Sequence, residues 1–264
     1  MSFNNQIVWI TGASSGIGEA LVYAFVQAGA TVIASARRVN ELERVRKACG
    51  EKQNQVTIVP LDLADTSDVD TIVNAQVQLH GKIDILINNG GISQRSLIKD
   101  TPIELDRRIM EVNYFGQIAL TKAVLPWMLK QKRGHLVAVS SLTGKFGFPL
   151  RSAYAATKHA LHGFFETALL ELKSENIHVT VVNPGQIRTQ ISLHALKEDG
   201  TAQGIMDPGQ ENGMTAEVCA QKIIAAIRKN KAEVTIGGKE VVMVYLKRFV
   251  PGLFRKIATR ISAR

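Results

Sequence analysis

A serine, a tyrosine and a lysine lie in one short stretch of this chain, with a spacing that suits proton transfer. Ser141 follows the apolar run 135–139, Tyr154 comes thirteen residues after Ser141, and Lys158 comes four residues after Tyr154. Side chains four residues apart share one face of a helix. An ammonium group beside a phenol favours the phenolate and is expected to lower the phenol's pKa. We therefore expect Tyr154 to be an acid/base catalyst, although a packed ring beside a solvated charge is the ordinary alternative on a helix.

The composition is that of one large globular domain. The chain has 264 residues, of which 45% are hydrophobic, and this is enough for a sizeable core. The two cysteines, Cys49 and Cys219, offer neither a disulfide framework nor a metal spacing, and the six histidines are scattered, so we expect no metal. The sequence shows no signal segment and no apolar run long enough to span a bilayer. We expect a cytoplasmic protein in a reducing compartment.

Basic residues concentrate at the C-terminal end of the chain. The net charge is +9, but residues 241–264 carry six of the 32 basic side chains and no acidic one. The rest of the chain has 26 basic and 23 acidic side chains, a net charge of only +3. This distribution, and the lack of aromatic residues interleaved with the basic ones, argues against nucleic-acid binding.

A glycine-rich turn lies between a predicted strand and a predicted helix near the N-terminus. Residues 11–18 read Thr-Gly-Ala-Ser-Ser-Gly-Ile-Gly, after an apolar strand over 6–10 and before a helical pattern over 19–27. Glycines let the backbone turn tightly and approach a pyrophosphate, and a helix N-terminus favours the negative charge. Strand, turn and helix together predict a dinucleotide-binding site.

The end of the second predicted strand favours NADP(H). This strand covers 31–36, Arg37 and Arg38 follow it, and no Asp or Glu lies between residues 31 and 40. In a doubly wound fold an acidic residue at this place binds the 2′-hydroxyl of NAD, whereas arginine suits the 2′-phosphate of NADP. Arginines in a solvated loop are the alternative, and NAD(H) is then the alternative cofactor.

Strand-like and helix-like segments alternate along the whole chain and predict a doubly wound, seven-stranded parallel sheet of the Rossmann type, in one α/β domain over 1–240. The predicted strands cover 6–10, 31–36, 56–60, 83–87, 135–140, 178–182 and 234–236, and the predicted helices cover 19–27, 39–49, 67–80, 102–132, 152–174 and 215–229. Pro126 is expected to kink the long helix 102–132 or split off its last turn. The polar segment 189–212 is expected to be a mobile lid.

Polar residues follow several of these strands, and the carboxyl ends of parallel strands meet at one ligand-binding edge. Asp62, Asn89 and Ser141 come directly after predicted strands, and the Pro184–Gly185 pair follows the sixth. A turn or helix-cap residue is the alternative for Asp62, and a simple Asn-Gly turn is the alternative for Asn89.

Taken together, these residues resemble the short-chain dehydrogenase/reductase family. The matching motifs are Thr11-Gly12-x3-Gly16-x-Gly18, Asn88-Asn89-x-Gly91, Asn113, Ser141, Tyr154-x3-Lys158 and Pro184-Gly185. They occur in the family's order and the resemblance covers about residues 6–236. One departure is Gly90, where the family usually has alanine, and we expect it to loosen the turn without removing the site.

The resemblance implies an oxidoreductase that transfers hydride between a nicotinamide cofactor and a carbonyl or alcohol carbon. The implied catalytic residues are Asn113, Ser141, Tyr154 and Lys158. Tyr154 would be the acid/base, Lys158 would also bind the nicotinamide ribose, and Asn113 would hold a relay water. Ser140 is adjacent to Ser141, but its spacing to Tyr154 fits the family's motif less well. The implied cofactor-binding residues are Gly12, Ser14, Ser15, Gly16, Ile17, Gly18, Arg37, Arg38, Asp62, Leu63, Asn89, Gly90, Tyr154, Lys158, Pro184, Gly185, Ile187 and Thr189. A solvated or core-bonded amide is the alternative interpretation of Asn113.

The basic C-terminal extension 241–264 is predicted to contain an amphipathic helix. Its apolar face would consist of Leu253, Phe254, Ile257, Ala258 and Ile261. Such a helix suits an anionic membrane surface, or else packs on its own domain or on a partner subunit of a homo-dimer or homo-tetramer. The extension also resembles that of membrane-associated family members, which favours a peripheral membrane location.

The substrate is expected to be a small apolar carbonyl or alcohol compound. The apolar residues expected at the site are Leu142, Phe146, Phe148, Ile191, Leu193, Leu196 and Met206, and the basic ones are Arg151 and Arg188. The alternative function is a non-catalytic nucleotide-binding protein that associates with a membrane or a partner.

Overall fold

A single parallel sheet of seven strands forms the centre of the protein, as the computed structural model of residues 2–260 shows. Its strands are β1 (Ile7–Thr11), β2 (Thr31–Ala36), β3 (Val56–Pro60), β4 (Ile85–Asn88), β5 (Gly134–Val139), β6 (Ile177–Pro184) and β9 (Glu233–Ile236), and β7 (Ile187–Arg188) pairs with β8 (Met214–Thr215) in a separate short ladder. The order across the large sheet is β3-β2-β1-β4-β5-β6-β9, with every neighbouring pair parallel. The chain reverses its direction of winding between β1 and β4. The predicted doubly wound fold is confirmed.

Helices cover both faces of this sheet. They are α1 (Gly16–Gln27), α2 (Val39–Ala48), α3 (Val69–His80), α4 (Ile103–Met110), α5 (Gly116–Lys130), α6 (Ser152–Glu171), α7 (Pro208–Glu211), α8 (Ala216–Arg228), α9 (Val242–Phe249) and α10 (Pro251–Ala258). Short 3₁₀ turns lie at Gly50–Gln55, Leu142–Gly144, Lys173–Glu175 and Lys239–Val241.

The core divides into two layers because side chains alternate across each strand. In β1, Val8 and Ile10 pack with α1, α2 and α8 on one face, while Ile7 and Trp9 pack with α3, α5 and α6 on the other. Strands buried on both faces read as continuous apolar runs, which is why β1, β4 and β5 contain so few polar residues.

The predicted helix 102–132 is interrupted, but not at Pro126. Residues Glu111–Phe115 form a π-helical turn between α4 and α5, and Pro126 lies inside α5. A π turn widens the helix by one residue and often marks a functional position. The interruption therefore falls at Asn113, one of the implied catalytic residues and a residue type with poor helix propensity.

The C-terminal extension folds back on the domain. Met243 of α9 and Phe254 and Ala258 of α10 are buried against Leu142 and Phe146, which follow β5. Ile257 packs at the edge of this cluster, whereas Leu253 is 45% exposed. The predicted apolar face is thus used in part for packing on the protein's own domain. Ile261 and Arg264 lie outside the described residues.

The predicted lid 189–212 is tied to the domain at several points. Leu196 exchanges backbone hydrogen bonds with the segment after β4, where its N–H donates to the Ser93 carbonyl and its carbonyl accepts from the Arg95 N–H. Ser192 is fully buried and its hydroxyl accepts from the Asp207 N–H at 3.2 Å. The mobility of the segment stays a prediction.

Among residues 2–260, no helix combines the length and the apolar character that crossing a lipid bilayer requires.

Candidate functional site

The glycine turn after β1 closes tightly against the turn after β4. Asn89 lies under it, with its side-chain amide donating to the Thr11 carbonyl at 2.9 Å. Gly12 has a positive φ of 64°, and a Cβ on it would lie 2.7 Å from the Gly90 Cα, so only glycine fits this approach. The first helical residue of α1 is Gly16, and the preceding Ser15 side chain makes no capping bond within the described part of the chain. The first N–H groups of α1 are therefore free to face an anion at this edge of the sheet.

The arginines after β2 flank this turn. Arg38 donates to the Ser14 hydroxyl at 3.5 Å, and Arg37 is exposed next to it. Arg44 of α2, which sequence reasoning missed, donates to the Ser14 carbonyl at 3.3 Å while it pairs with Glu19 at 2.8 Å. Two arginines thus contact Ser14 of the glycine turn, and the charge of Arg44 is offset by Glu19 and Glu41.

The segment after β3 contributes a turn and an apolar contact. Asp62 is exposed and its carboxylate accepts from the Ala64 N–H at 3.0 Å, which is the turn role expected as the alternative. Leu63 is buried, and its Cδ1 would lie 2.7 Å from a Cβ on Gly90. Leu63 therefore occupies the space that a methyl group on residue 90 would need, and the expectation that Gly90 loosens its turn stays a prediction. The Gly90 N–H also donates to the Thr11 hydroxyl at 2.9 Å, and the Gly90 carbonyl accepts from Gln117 at 2.7 Å.

The end of β6 forms another wall of the site. The Gly185 N–H donates to the Ile236 carbonyl at 2.7 Å, which fixes the chain as it leaves the sheet after Pro184. Ile187 is buried, and Thr189 lies against Gly16, whose Cβ would be 3.0 Å from the Thr189 methyl. This segment therefore faces the glycine turn across the carboxyl edge of the sheet.

Two adjacent serines follow β5, and they face different partners. The Ser140 hydroxyl donates to the Lys158 carbonyl at 3.0 Å and is buried, which makes it a link between β5 and α6. The Ser141 hydroxyl lies within hydrogen-bonding reach of the Tyr154 phenol and accepts from the Thr143 N–H at 3.2 Å. The structure therefore brings Ser141, and not Ser140, to the phenol.

Tyr154 and Lys158 lie on one face of α6, as the spacing predicts, but the pKa of the phenol is raised. Burial raises the pKa of Tyr154, while its hydrogen bond with Ser141 and the charges of Arg95 and Arg151 oppose the rise. The Lys158 ammonium lies 5.5 Å from the Tyr154 ring centroid and donates to the Val139 carbonyl at 2.9 Å. The prediction that the pKa of Tyr154 is lowered is therefore wrong for the protein alone, because burial outweighs the nearby charges.

Lys158 is itself perturbed by its surroundings. It is almost completely buried, and burial lowers the pKa of its ammonium group to about 8. A buried lysine is disfavoured in its charged form, so Lys158 is cationic below about pH 8 and loses its charge as pH rises through that value.

Asn113 is fully buried in the π turn and holds the segment after β4. Its side-chain oxygen accepts from the Ile92 N–H at 2.8 Å, and its amide donates to the Ile92 carbonyl at 2.9 Å and to the Thr157 hydroxyl at 3.2 Å. Thr157 precedes Lys158 on α6. The core-bonded alternative for the Asn113 side chain is thus what the structure shows, at a position next to the proposed catalytic lysine.

A second amide, missed in the sequence, holds the start of α6. Gln94 is fully buried, and its side-chain oxygen accepts from the N–H groups of Ala153 at 2.8 Å and Tyr154 at 3.4 Å. The first N–H groups of α6 are thus bound by a side chain from a different loop, and this contact fixes the position of Tyr154 at the edge of the sheet. No local spacing in the sequence connects residues 94 and 153.

One cavity of about 350 Å³ connects these groups. Its lining includes Ile17, Asn89, Ser141, Tyr154, Lys158, Pro184, Gly185, Ile187 and Thr189, together with the apolar Leu142, Phe146, Phe148, Ile191 and Met243. Of the four lid residues expected at the site, Ile191 lines this cavity and Leu193 does not. Leu196 packs against α4, and Met206 lies in a separate hollow with Arg188. The cavity also contains Arg95, Arg151 and Asp207; Arg151 was expected, and the other two were not.

A histidine and two carboxylates converge near this cavity. Ligand atoms of His162, Glu166 and Glu233 lie within 4.8 Å of one another. The Lys145 ammonium is already between them, at 2.9 Å from the Glu233 carboxylate and 3.2 Å from His162 Nδ1. The cluster is therefore an ion-paired network between the buried His162 and two exposed carboxylates, and it gives no reason to assign a metal.

The architecture is that of a Rossmann-type nucleotide-binding oxidoreductase, and comparison with known proteins agrees. The sequence profile described as short chain dehydrogenase matches residues 6–199. The chain belongs to the short-chain dehydrogenase/reductase family, as its motifs predict. It is 46% identical to a dehydrogenase/reductase SDR family protein 7-like of Anopheles gambiae, over 88% of this chain and 75% of that protein, and 42% identical to dehydrogenase/reductase SDR family member 7B of Mus musculus, over 96% and 80%.

Solved structures show the same fold. A short-chain dehydrogenase from Streptomyces avermitilis has a TM-score of 0.80 at 28% identity, and each chain is covered to 96%. A short chain dehydrogenase/reductase from Burkholderia phymatum in complex with NAD has a TM-score of 0.85 at 20% identity, again with 96% of each chain covered. The first of these similarities supports the family, and the second supports the fold.

Proposed function

We propose that this protein transfers hydride between NADP(H) and the carbonyl or alcohol carbon of a small, largely apolar substrate, with Tyr154 as the acid/base. The observation that carries the proposal is the placement of Ser141, Tyr154 and Lys158 in one cavity, next to the glycine turn at the carboxyl edge of the sheet. Family membership supports an oxidoreductase, and the arrangement of these side chains supports this particular chemistry.

The residues around the glycine turn fit a nicotinamide dinucleotide. The close approach at Gly12 and the uncapped start of α1 leave backbone N–H groups for a pyrophosphate. We assign the adenosine end to Arg37, Arg38, Asp62 and Leu63, and the nicotinamide end to Lys158, Pro184, Gly185, Ile187 and Thr189, with Ser14, Ser15, Ile17, Asn89 and Gly90 between them. When bound, the cofactor supplies or accepts the hydride.

Side chains of the protein would stabilise the charge on the substrate oxygen and transfer the proton. Ser141 and the Tyr154 phenol present two hydroxyl groups to one point, where a substrate oxygen gains negative charge during reduction. Tyr154 then donates its proton to that oxygen, and in the reverse direction it accepts the proton. The cationic Lys158 favours the phenolate that remains. The side chain of Asn113 is already bonded to Ile92 and Thr157, so its backbone carbonyl is the group we assign to a relay water.

The apolar part of the cavity supports an apolar substrate. Leu142, Phe146, Phe148, Ile191 and Met243 form one side of it. Two of these side chains are held by the C-terminal helices, since Phe146 packs on Phe254 with ring centroids 5.3 Å apart and Met243 belongs to α9.

We also propose that the C-terminal helices rest on an anionic membrane surface. Tyr245 and Phe249 of α9 are 59% and 71% exposed, and the neighbouring Lys247 and Arg248 are basic. Apolar side chains beside cations suit the interface of an anionic bilayer. Assembly into a homo-dimer or homo-tetramer stays a prediction, and light scattering of the purified protein would measure it.

Substitution of Arg37 and Arg38 by alanine is expected to weaken NADPH binding. Loss of charge-assisted bonds to a 2′-phosphate would raise the Kd about tenfold or more, whereas the Kd for NADH would stay the same. Titration followed by nicotinamide fluorescence measures both constants. A wild-type preference for NADH, or an equal effect on both nucleotides, would contradict the assignment.

Tyr154→Phe is expected to lower kcat by about a hundredfold or more while NADPH binding persists, because the ring stays and the proton is lost. The matched control is Tyr245→Phe, which removes an exposed hydroxyl far along the chain in α9. Ser141→Ala should also lower kcat, and Ser140→Ala should chiefly lower thermal stability. NADPH oxidation with a panel of apolar ketones gives the rates, and full turnover by Tyr154→Phe would refute the proposal.

The pH profile of carbonyl reduction should report Lys158. Its charge is present at low pH and is lost as pH rises through the pKa of about 8, so kcat/KM is expected to be level below that pH and to fall about tenfold per unit above it. Lys158→Arg keeps the charge and should move the fall to higher pH. Lys122→Arg, on the exposed side of α5, is the control that should leave the profile unchanged. An unshifted profile in Lys158→Arg would exclude Lys158 as its source.

Flotation with vesicles tests the membrane surface. We expect the protein to float with phosphatidylcholine vesicles that contain phosphatidylserine, and to stay behind with phosphatidylcholine alone or at high salt. Phe249→Glu should reduce flotation, while Leu170→Glu, an equally exposed position on α6, should not. Equal flotation of both variants, or none by the wild type, would reject the proposal.

A further inference from the structure

Two arginines and one aspartate meet in the catalytic cavity, from three separate segments. Arg95 comes from the segment after β4, Arg151 directly precedes α6, and Asp207 belongs to the lid segment. Their side chains are only 4%, 13% and 13% exposed. Leu150 has a left-handed backbone, with φ at 64°, immediately before Arg151. The three charges are thus largely withdrawn from water beside Tyr154.

The Asp207 carboxylate bridges the two guanidinium groups. It pairs closely with Arg95, and its Oδ2 accepts from Arg151 Nη2 at 2.8 Å. Arg95 also donates to the Ser93 hydroxyl at 2.9 Å and to the Gln94 carbonyl. Each of the three guanidinium nitrogens of Arg95 therefore has a hydrogen-bond partner in the protein. Arg95 and Asp207 therefore form a fixed pair that positions Arg151.

Arg151 is the member of this cluster with donors to spare. In the part of the chain that the structure describes, its hydrogen bonds run to Asp207 and, at 3.3 Å, to the Pro149 carbonyl. A guanidinium group has five N–H donors, so several remain for a ligand. The guanidinium carbon of Arg151, Cζ, lies 4.9 Å from the Phe148 ring centroid, and this contact orients the planar guanidinium group along the apolar wall of the cavity.

The charges around the cavity do not cancel. Its lining contains the cations Arg95, Arg151 and Lys158 and the anions Asp207 and Glu240, which leaves one positive charge in excess. An excess charge that is partly removed from water is costly unless an opposite charge accompanies it. One carboxylate would balance it, whereas a phosphate monoester carries about −1.5 to −2 and would exceed it.

We propose that the cavity binds an apolar oxo or hydroxy compound that carries one carboxylate, with Arg151 as the residue that anchors the carboxylate. The inference rests on the proposed function and narrows its substrate class. Arg151 and Tyr154 line the same cavity, so the carboxylate and the reacting carbonyl occupy it together while the apolar part of the substrate lies against Phe146, Phe148 and Met243. The positive charges that face Tyr154 are the same ones that select the substrate.

The experiment compares the turnover of carboxylic acids with that of their uncharged methyl esters. The probes are straight-chain oxo acids that differ in the distance between ketone and carboxylate, each paired with its methyl ester, and kcat/KM is measured for NADPH oxidation. We expect the wild type to prefer at least one acid over its ester about tenfold or more, and Arg151→Gln to remove most of that preference. Arg151→Lys should restore part of it, and Arg107→Gln, an exposed arginine on α4, should leave the acid-to-ester ratio unchanged.

Binding separates this inference from the proposed chemistry. In Tyr154→Phe with NADP⁺ present, calorimetry should show that the preferred acid binds more tightly than its ester and that Arg151→Gln in the same background abolishes the difference. If the wild type binds the acid more tightly than its ester but turns over neither, the proposed reaction is refuted and the carboxylate site is supported. Turnover of esters and acids alike, a preference for the corresponding phosphate monoesters, or binding of no acid at all would overturn the carboxylate site.

Discussion

The buried position of Lys158 is the constraint on which the remaining site geometry depends. Its ammonium group donates to the Val139 carbonyl at the end of β5, and its own carbonyl accepts from Ser140, the next residue after that strand. These two bonds join α6 to the end of β5, which Ser141 follows. A charge so nearly enclosed is unfavourable unless it is hydrogen-bonded, and the bond that satisfies it also sets the distance between helix and sheet. Small displacements of α6 are therefore resisted at the position where the chemistry needs accuracy.

Amide side chains complete this framework from the other direction. Asn113 bonds to both backbone groups of Ile92, and Gln94, two residues further on, holds the start of α6. The short segment after β4 thus connects the π turn and α6 through bonds that are almost wholly buried. Buried polar networks of this kind stabilise one arrangement strongly because any alternative would leave donors or acceptors without partners.

Much of this structure could be predicted from the sequence because its signals are local. Apolar strands, glycine turns and a four-residue helical spacing are patterns within a few residues. They predict the sheet, the glycine turn after β1 and the shared helix face of Tyr154 and Lys158. Three features depend on contacts between distant segments and were missed or misjudged. Arg95 meets Asp207 across more than a hundred residues of chain, Gln94 reaches α6 from another loop, and the pKa of Tyr154 is decided by burial that no single stretch reveals.

The position of the C-terminal helices has an evolutionary consequence. The family profile ends at residue 199, whereas Glu240 and Met243 lie beyond it and form part of the cavity wall. Part of the cavity wall is therefore encoded beyond the segment that the family profile describes, while Leu142, Phe146, Phe148 and Ile191 lie within that segment. Substitutions in α9 and α10 can alter the cavity wall without disturbing the sheet, because β9, the last strand of the sheet along the described chain, ends at Ile236 before these helices begin. The end of the chain is therefore a place where the compounds that the cavity accepts can change while the fold stays the same.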